Sequence, residues 1–226
     1  ERLLGVSLTG IMDNRMTNGK ERHLENLLES LKEEAVAVNK EWTEKLGIPQ
    51  STAITCVKPS GTASMVCGSS SGIHAWHNDY YIRRIRVGKT EAICGYLVEN
   101  HPELIVEDQF NPDGMIIEIP QKAPVGALLK KQEDTFMFLE RVKNTTVRWV
   151  NPGHSNGQNT HNVSATVYIN KNDWNEVGEW MWLNRHFYNG LSCFPNDDSV
   201  YVQAPFEACT KGTYEEMMKS LKALDL

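Results

Sequence analysis

The sequence lacks paired cysteines. Its five thiols, Cys56, Cys67, Cys94, Cys193 and Cys209, are an odd number at irregular spacing, with no C-x-x-C pair. That argues against a secreted disulfide framework and a structural zinc site, and fits free thiols in a reducing cytoplasm. No run of about 18 apolar residues occurs, so no membrane span is expected. Basic residues are in deficit, 23 Lys and Arg against 29 Asp and Glu, for a net charge of −6. A partner such as duplex DNA, which needs a basic face, is therefore not expected. A secretory leader pattern is missing too, and the chain opens on Glu1-Arg2-Leu3-Leu4-Gly5 rather than Met. These first residues already read as packed structure, so the sequence is expected to be a piece of a longer polypeptide.

What is present is a globular composition, 40% hydrophobic over 226 residues, enough for a real core. From Lys20 to Leu46, the residues Leu24, Leu27, Leu28, Leu31, Ala35, Val38, Trp42 and Leu46 step by three or four. That spacing predicts one amphipathic helix, ended by Gly47 and Pro49. Strands are expected at 52–57, at 115–119 before Pro120, and at 163–169, where side chains alternate. Further helices are expected near 62–67, 90–100 and 133–150. Asp173-x-x-Glu176 and Thr213-x-x-Glu216 read as capping boxes opening two more. Strands alternating with helices point to α/β architecture in one continuous unit, 1–226.

The stretch Lys58-Pro59-Ser60-Gly61-Thr62-Ala63-Ser64 follows a predicted strand and precedes a predicted helix. Free amides of a first helical turn favour an anion, Gly61 permits close backbone approach, and the hydroxyls add donors. It is not a Walker A loop, because the G-x-x-x-x-G-K-[ST] spacing is absent. A Ser/Thr/Gly turn that merely caps a helix satisfies the same pattern.

From Ile54 to Arg86 the chain resembles the substrate-phosphate loop, and the region after it, of ribonucleotide reductases. The residues that carry this are Pro59-Ser60-Gly61-Thr62, Ser71-Gly72-Ile73-His74, the pair Tyr80-Tyr81 and Ile82-Arg83-Arg84-Ile85-Arg86. Leu4 to Gly10, Asn162 to Val167 and Tyr201 to Glu207 also fit. The pattern is most similar to the monomeric, adenosylcobalamin-dependent ribonucleoside-triphosphate reductases. The resemblance implies the second, C-terminal half of a ten-stranded α/β barrel. It implies that Pro59, Ser60, Gly61, Thr62, Ala63 and Ser64 hold the phosphates of a ribonucleoside triphosphate. Adenosylcobalamin is the implied cofactor, with a thioredoxin-like reductant and the N-terminal remainder of the reductase as partners. The family's Asn-x-Cys-x-Glu finger-loop signature is absent, so the radical and redox cysteines are expected outside this segment. Two alternatives stay open: a diphosphate-using reductase of the same superfamily, and a non-catalytic nucleotide-binding or assembly module.

Other chemistry-bearing residues read more plainly. His74-x-x-His77 has a spacing known from metal sites but no third ligand fixed nearby, so no metal is expected. Cys67 is expected to face the core. His161 and Asn162 follow a polar run taken as a loop topping a strand, where barrels make ligand contacts. Alternation sends Arg84 and Arg86 to one face and Arg83 to the other, with ion pairing favoured over phosphate contact. Trp174, Trp180 and Trp182 are expected in the core, and Tyr80 and Tyr81 in packing rather than radical relay.

Overall fold

Helix α1 shows how the sequence sets its own boundaries. Gly47 takes φ +63 at its end. The Ile48 amide reaches back to Thr43 at 3.0 Å and the Gly47 amide to Glu44 at 3.2 Å. This left-handed cap closes the helix two residues before Pro49 can interrupt it. The apolar stripe is only partly buried. Leu24 and Leu28 enter the core, whereas Val38, Trp42 and Leu46 are exposed. In that half the buried positions are Asn39 and Thr43, and Asn39 exchanges two hydrogen bonds with Ser51 (3.0 and 3.1 Å).

The computed structural model describes residues 2–13, 15–19, 24–155, 159–196 and 201–223, without the side chains of residues 62 and 65. The start of the predicted first helix, residues 20–23, lies outside them. In chain order the elements are β1 (Leu3–Ser7), α1 (Leu24–Leu46), β2 (Ala53–Cys56), α2 (Gly61–Val66), β3 (Tyr80–Gly88) and α3 (Ala92–Asn100). There follow β4 (Ile105–Glu107), β5 (Gly114–Lys122), α4 (Thr135–Thr145), β6 (Thr166–Ile169), α5 (Trp174–Leu183), β7 (Ser192–Pro195), β8 (Phe206–Ala208) and α6 (Lys211–Ser220). The chain divides into two compact units, Glu1–Trp76 with Val125–Asp197, and His77–Pro124 with Asp198–Leu226.

The first unit is parallel. β1 pairs with β2 around the α1 crossover, and β6 pairs with β7 around α5. A bridge between Val57 and Val163 joins the two pairs, giving the spatial order β1-β2-β6-β7. Leu28, Ile73, Leu139, Val142, Trp149, Val163 and Val167 are among the side chains of its core. α4 is capped by Asp134, which accepts from the Met137 amide at 2.8 Å. The helix then widens into a π turn (Thr146–Val150) and a 3-10 turn (Asn151–Gly153) that lean on β2. There Thr55 donates to the Trp149 carbonyl, and Trp149 Nε1 donates to the Cys56 carbonyl at 2.8 Å. Gly153 is required by contact, because a Cβ there would sit 1.9 Å from Thr55 Oγ1.

The second unit is an antiparallel sheet in the order β4-β5-β3-β8, which the alternating β/α reading did not contain. Its own small core holds Val87, Cys94, Leu97, Leu104, Ile105 and Met115. The strand expected to stop at Pro120 continues to Lys122, with Pro120 opposite Ile82. β4 pairs with β5 only at 115–117, so proline lies where one edge of β5 has no neighbour and no ladder donor is missed.

Both predicted capping boxes differ from the structure. Asp173 receives a bond from Asn170 Nδ2 at 2.7 Å instead of capping α5, because its backbone is helical rather than extended. α6 begins three residues early, at Lys211, capped by Thr210, whose hydroxyl accepts from the Thr213 amide at 3.1 Å. Cys67 is exposed rather than in the core, because α2 is a short surface helix. Trp174 and Trp182 are exposed too, and only Trp180 packs against the core.

Candidate functional site

In open α/β sheets, ligands bind beyond the carboxyl ends of the strands. In the first unit the ends of β1 and β2 lead into residues 8–13 and 58–64, and these two segments meet. Thr9 Oγ1 and Ser60 Oγ lie 2.6 Å apart. Both accept from the Gly72 amide at 3.0 Å, and Thr9 also donates to the Ser70 carbonyl at 3.1 Å. Ser60 Oγ is 3.3 Å from Ser71 Oγ. A turn at residues 69–72 thus closes over the loop, and Gly72 makes it possible. Gly72 adopts φ +53, and a Cβ there would stand 3.0 Å from the Lys58 carbonyl.

Within the loop the predicted residues divide. Pro59, Gly61 and Ala63 are exposed, and Ser60 is half-buried. Gly61 has φ +35, with open space where a Cβ would be, so a ligand could approach its backbone closely. The first intrahelical bond of α2 comes from the Ser64 amide to the Ser60 carbonyl, at 3.2 Å. The amides of residues 61–63 therefore precede the helical ladder. Ser64 itself is buried, and its hydroxyl turns back to the Gly61 carbonyl at 2.9 Å. The side chain of Thr62 lies outside what the structure describes. Lys58 is exposed and lies against Gly5, close to the buried Cys56. Burial pushes the Cys56 thiol up, with Lys58 and the Ser7 hydroxyl opposing.

Sequence reasoning gave no role to Thr9, Asp13, Ser70 or Ser71. Asp13 accepts from the Ser70 amide at 3.0 Å and from Trp76 Nε1 at 2.6 Å, pinning the turn from the β1 side. Three adjacent serines before Gly72 are a turn signal that could have suggested this closure.

The remaining candidates fall to structural duties. His74 is tied to two backbone groups of the first unit and His77 stacks on Phe206 in the second. No group of three or more His, Cys, Asp or Glu that could hold a metal ion exists among the described residues. The segment carrying His161 and Asn162 enters β6 at its amino end, not its carboxyl end, which removes it from the rim expected for ligand contacts. His161 Nε2 is 2.8 Å from the Leu4 carbonyl, beside the irregularity in β1. Asn162 donates to Gly190 at 3.2 Å. In β3, Arg84 pairs with Glu118 at 2.6 Å and with Glu207, and Arg86 pairs with Asp108 at 3.2 Å. Arg83 stacks over Phe206 at 4.2 Å. The ion-pair reading of this run therefore holds.

No family model matches the chain. The "Probable adenosylcobalamin-dependent ribonucleoside-triphosphate reductase" of Dictyostelium discoideum is 27% identical over 99% of this chain and 29% of its own length. The adenosylcobalamin-dependent ribonucleoside-triphosphate reductase of Euglena gracilis is 27% identical over 98% of this chain and 29% of its own. A solved structure of a B12-dependent, class II ribonucleotide reductase superposes with TM-score 0.78 at 20% identity, covering 97% of this chain and 33% of that one. The chain is similar over nearly its whole length to a segment of these reductases. It spans about a third of the length of the relatives it matches. The superposition agrees with the α/β class.

Proposed function

We propose that the chain is the second half of the catalytic barrel of an adenosylcobalamin-dependent ribonucleoside-triphosphate reductase, and that Pro59–Ser64 holds the substrate phosphates. The observation that carries this reading is the position of the loop. It lies beyond the carboxyl ends of parallel strands, with open backbone at Gly61. Similarity to the reductases over nearly the whole chain supports it. Ser60, and the amides of residues 61–63, are the groups best placed to meet phosphate oxygens. Ser64 contributes by shaping the turn.

In the whole enzyme the ribose 2′-hydroxyl would leave as water and be replaced by hydrogen. Two electrons come from a cysteine pair that becomes a disulfide, which a thioredoxin-like protein then reduces. The thiyl radical and that pair belong to the remainder of the polypeptide. The loop's part is to fix the nucleotide while the chemistry happens elsewhere. Adenosylcobalamin, which the names of the relatives specify, is the cofactor proposed for the whole enzyme.

An open edge supports the half-barrel reading. Leu3 and Leu4 on β1, Trp42 and Leu46 on α1, and Phe194 on β7 are exposed at the two margins of the parallel strands. Edge strands left so apolar call for cover, here the rest of the barrel. Among the described residues no helix is long and apolar enough to cross a membrane, and a cytoplasmic setting is proposed with the activity.

The test joins this chain to the remainder of the reductase and assays deoxynucleotide formation. Activity only in the combination is expected. Ser60→Ala with Thr62→Val should weaken triphosphate binding by about 1 to 3 kcal/mol, the loss of two phosphate hydrogen bonds. Unchanged affinity and turnover in that double variant would sink the assignment. Tight nucleotide binding without turnover would favour the non-catalytic module.

A further inference from the structure

His74 sits between the turn that closes the loop and the parallel strands, and its bonding fixes its tautomer. The Thr166 amide, at the start of β6, donates to His74 Nε2 at 2.9 Å. An amide can only donate, so Nε2 presents a lone pair and the proton of the neutral ring resides on Nδ1. Nδ1 faces the Ser71 carbonyl at 3.1 Å and donates to it. The ring stacks on Phe138 of α4, with centroids 5.5 Å apart. Burial pushes the imidazole below its ordinary range, the Ser71 bond opposes this, and the positive charge of Arg141 adds to it. Arg141 in turn is paired with Glu133. A protonated ring would set N–H against N–H at Thr166, so the neutral form is the one that satisfies both backbone partners.

We infer that His74 is a positioning residue for the anion loop, acting through Ser71 and Ser60. The inference rests on the proposed reading of that loop as the phosphate seat. The path is short. His74 holds the Ser71 carbonyl; the Ser71 hydroxyl is 3.3 Å from Ser60 Oγ, and the next amide, of Gly72, donates to Ser60 at 3.0 Å. The His74 amide also donates to the Ser71 carbonyl at 2.9 Å, so loss of the ring bond loosens, rather than frees, the turn that presents the Gly72 donor to Ser60. The imidazole thereby couples the entry of β6 to the loop that follows β2.

Two amide side chains separate the halves of this clamp. Asparagine places its NH2 near the site of Nδ1 and keeps the Ser71 bond, whereas glutamine carries its oxygen toward the site of Nε2 and keeps only the Thr166 acceptor. Binding of a ribonucleoside triphosphate and of the unphosphorylated nucleoside is measured in the complete polypeptide, with thermal unfolding of each variant alongside. His74→Gln and His74→Ala should lose about tenfold in triphosphate affinity, the value of roughly one hydrogen bond, with nucleoside affinity unchanged. His74→Asn should stay within about twofold of the parent. Equal losses for Asn and Gln, or losses shared by the nucleoside, would assign His74 to general packing and overturn the inference. Normal affinity in all three, with weakened binding in the Ser60/Thr62 double variant, overturns this inference and leaves the loop reading standing. If the double variant also binds normally, both fall.

Discussion

Two polar clusters in this molecule invite opposite guesses, and the geometry reverses them. The run Arg83–Arg86 in the antiparallel unit carries the densest positive charge, yet its guanidinium groups are occupied. Arg84 meets Glu118 and Glu207, Arg86 meets Asp108, and Arg83 lies on Phe206. The cluster around Ser60 in the parallel unit is built from hydroxyls and amides with little formal charge, but it lies at the strand ends with open backbone at Gly61. Charge that is already neutralised offers a phosphate little. Oriented donors ahead of a helical ladder offer more, because their direction is fixed before the ligand arrives.

The sharpest way to break this contrast is Arg84→Ala. Arg84 is 9% exposed, and removing it strands two carboxylates in the sheet. Breaking a buried pair costs about 3 kcal/mol or more, but Glu207 is 40% exposed and water relieves part of that. A loss of about 2 kcal/mol in denaturant unfolding of the chain is expected, with triphosphate affinity unchanged. A fall in affinity at equal folded fraction would place the arginine run in the site and erase the distinction.

Next in size is Gly72→Ala. The position combines φ +53 with a Cβ site 3.0 Å from the Lys58 carbonyl, so alanine meets both conformational strain and crowding. About 1 to 2 kcal/mol of stability should be lost, as for other L-residues forced into the left-handed region. Here triphosphate affinity should fall as well, since the Gly72 amide is the shared donor to Thr9 and Ser60. Denaturant titration and nucleotide binding on the same preparation check the pair of effects. Loss of stability with full affinity would detach the turn from the loop.

Much of this was legible in residue order, and the failures have more than one cause. The stop at Gly47, the later part of the strand expected at 163–169 (Thr166–Ile169 in the structure) and the strand–loop–helix passage at 53–66 are local, set by φ preference and periodicity. The turn at Pro59 to Ser64, between β2 and α2, was legible for the same reason. What was not legible depended on partners distant in sequence. Thr9 meets Ser60 across 51 residues, and Arg84 finds Glu207 across 123. The outward face of α1 was misleading for a different reason, because periodicity reports that a helix has an apolar stripe without saying which element covers it. Leu46 is 62% exposed and Trp42 54%, so half of the stripe is left largely uncovered by the described residues of the unit. The His161 segment failed on direction: its polarity was read correctly, but which end of β6 it served is a property of the sheet.

The smallest expected effect falls on Arg83, and it tests whether the third arginine follows the other two. Its guanidinium lies 4.2 Å from the Phe206 ring centre and donates to the Pro205 carbonyl at 3.3 Å, both on the segment entering β8. Burial lowers its pKa somewhat, and Tyr81 opposes that shift. Arg83→Met keeps an unbranched apolar stem over the ring but removes the cation and the donor. A half-buried cation–π contact contributes about 0.5 to 1 kcal/mol, so a loss of that size in unfolding is expected. Arg83→Lys should recover the charge over the ring but not the planar stacking, and so fall between the two. Triphosphate affinity should be unchanged in both variants, because the residue's contacts are spent on pinning β8 to β3. If lysine and methionine weaken triphosphate binding in the order of their lost charge, while unfolding is unaffected, Arg83 contacts the anion and the hydroxyl cluster is only part of the site.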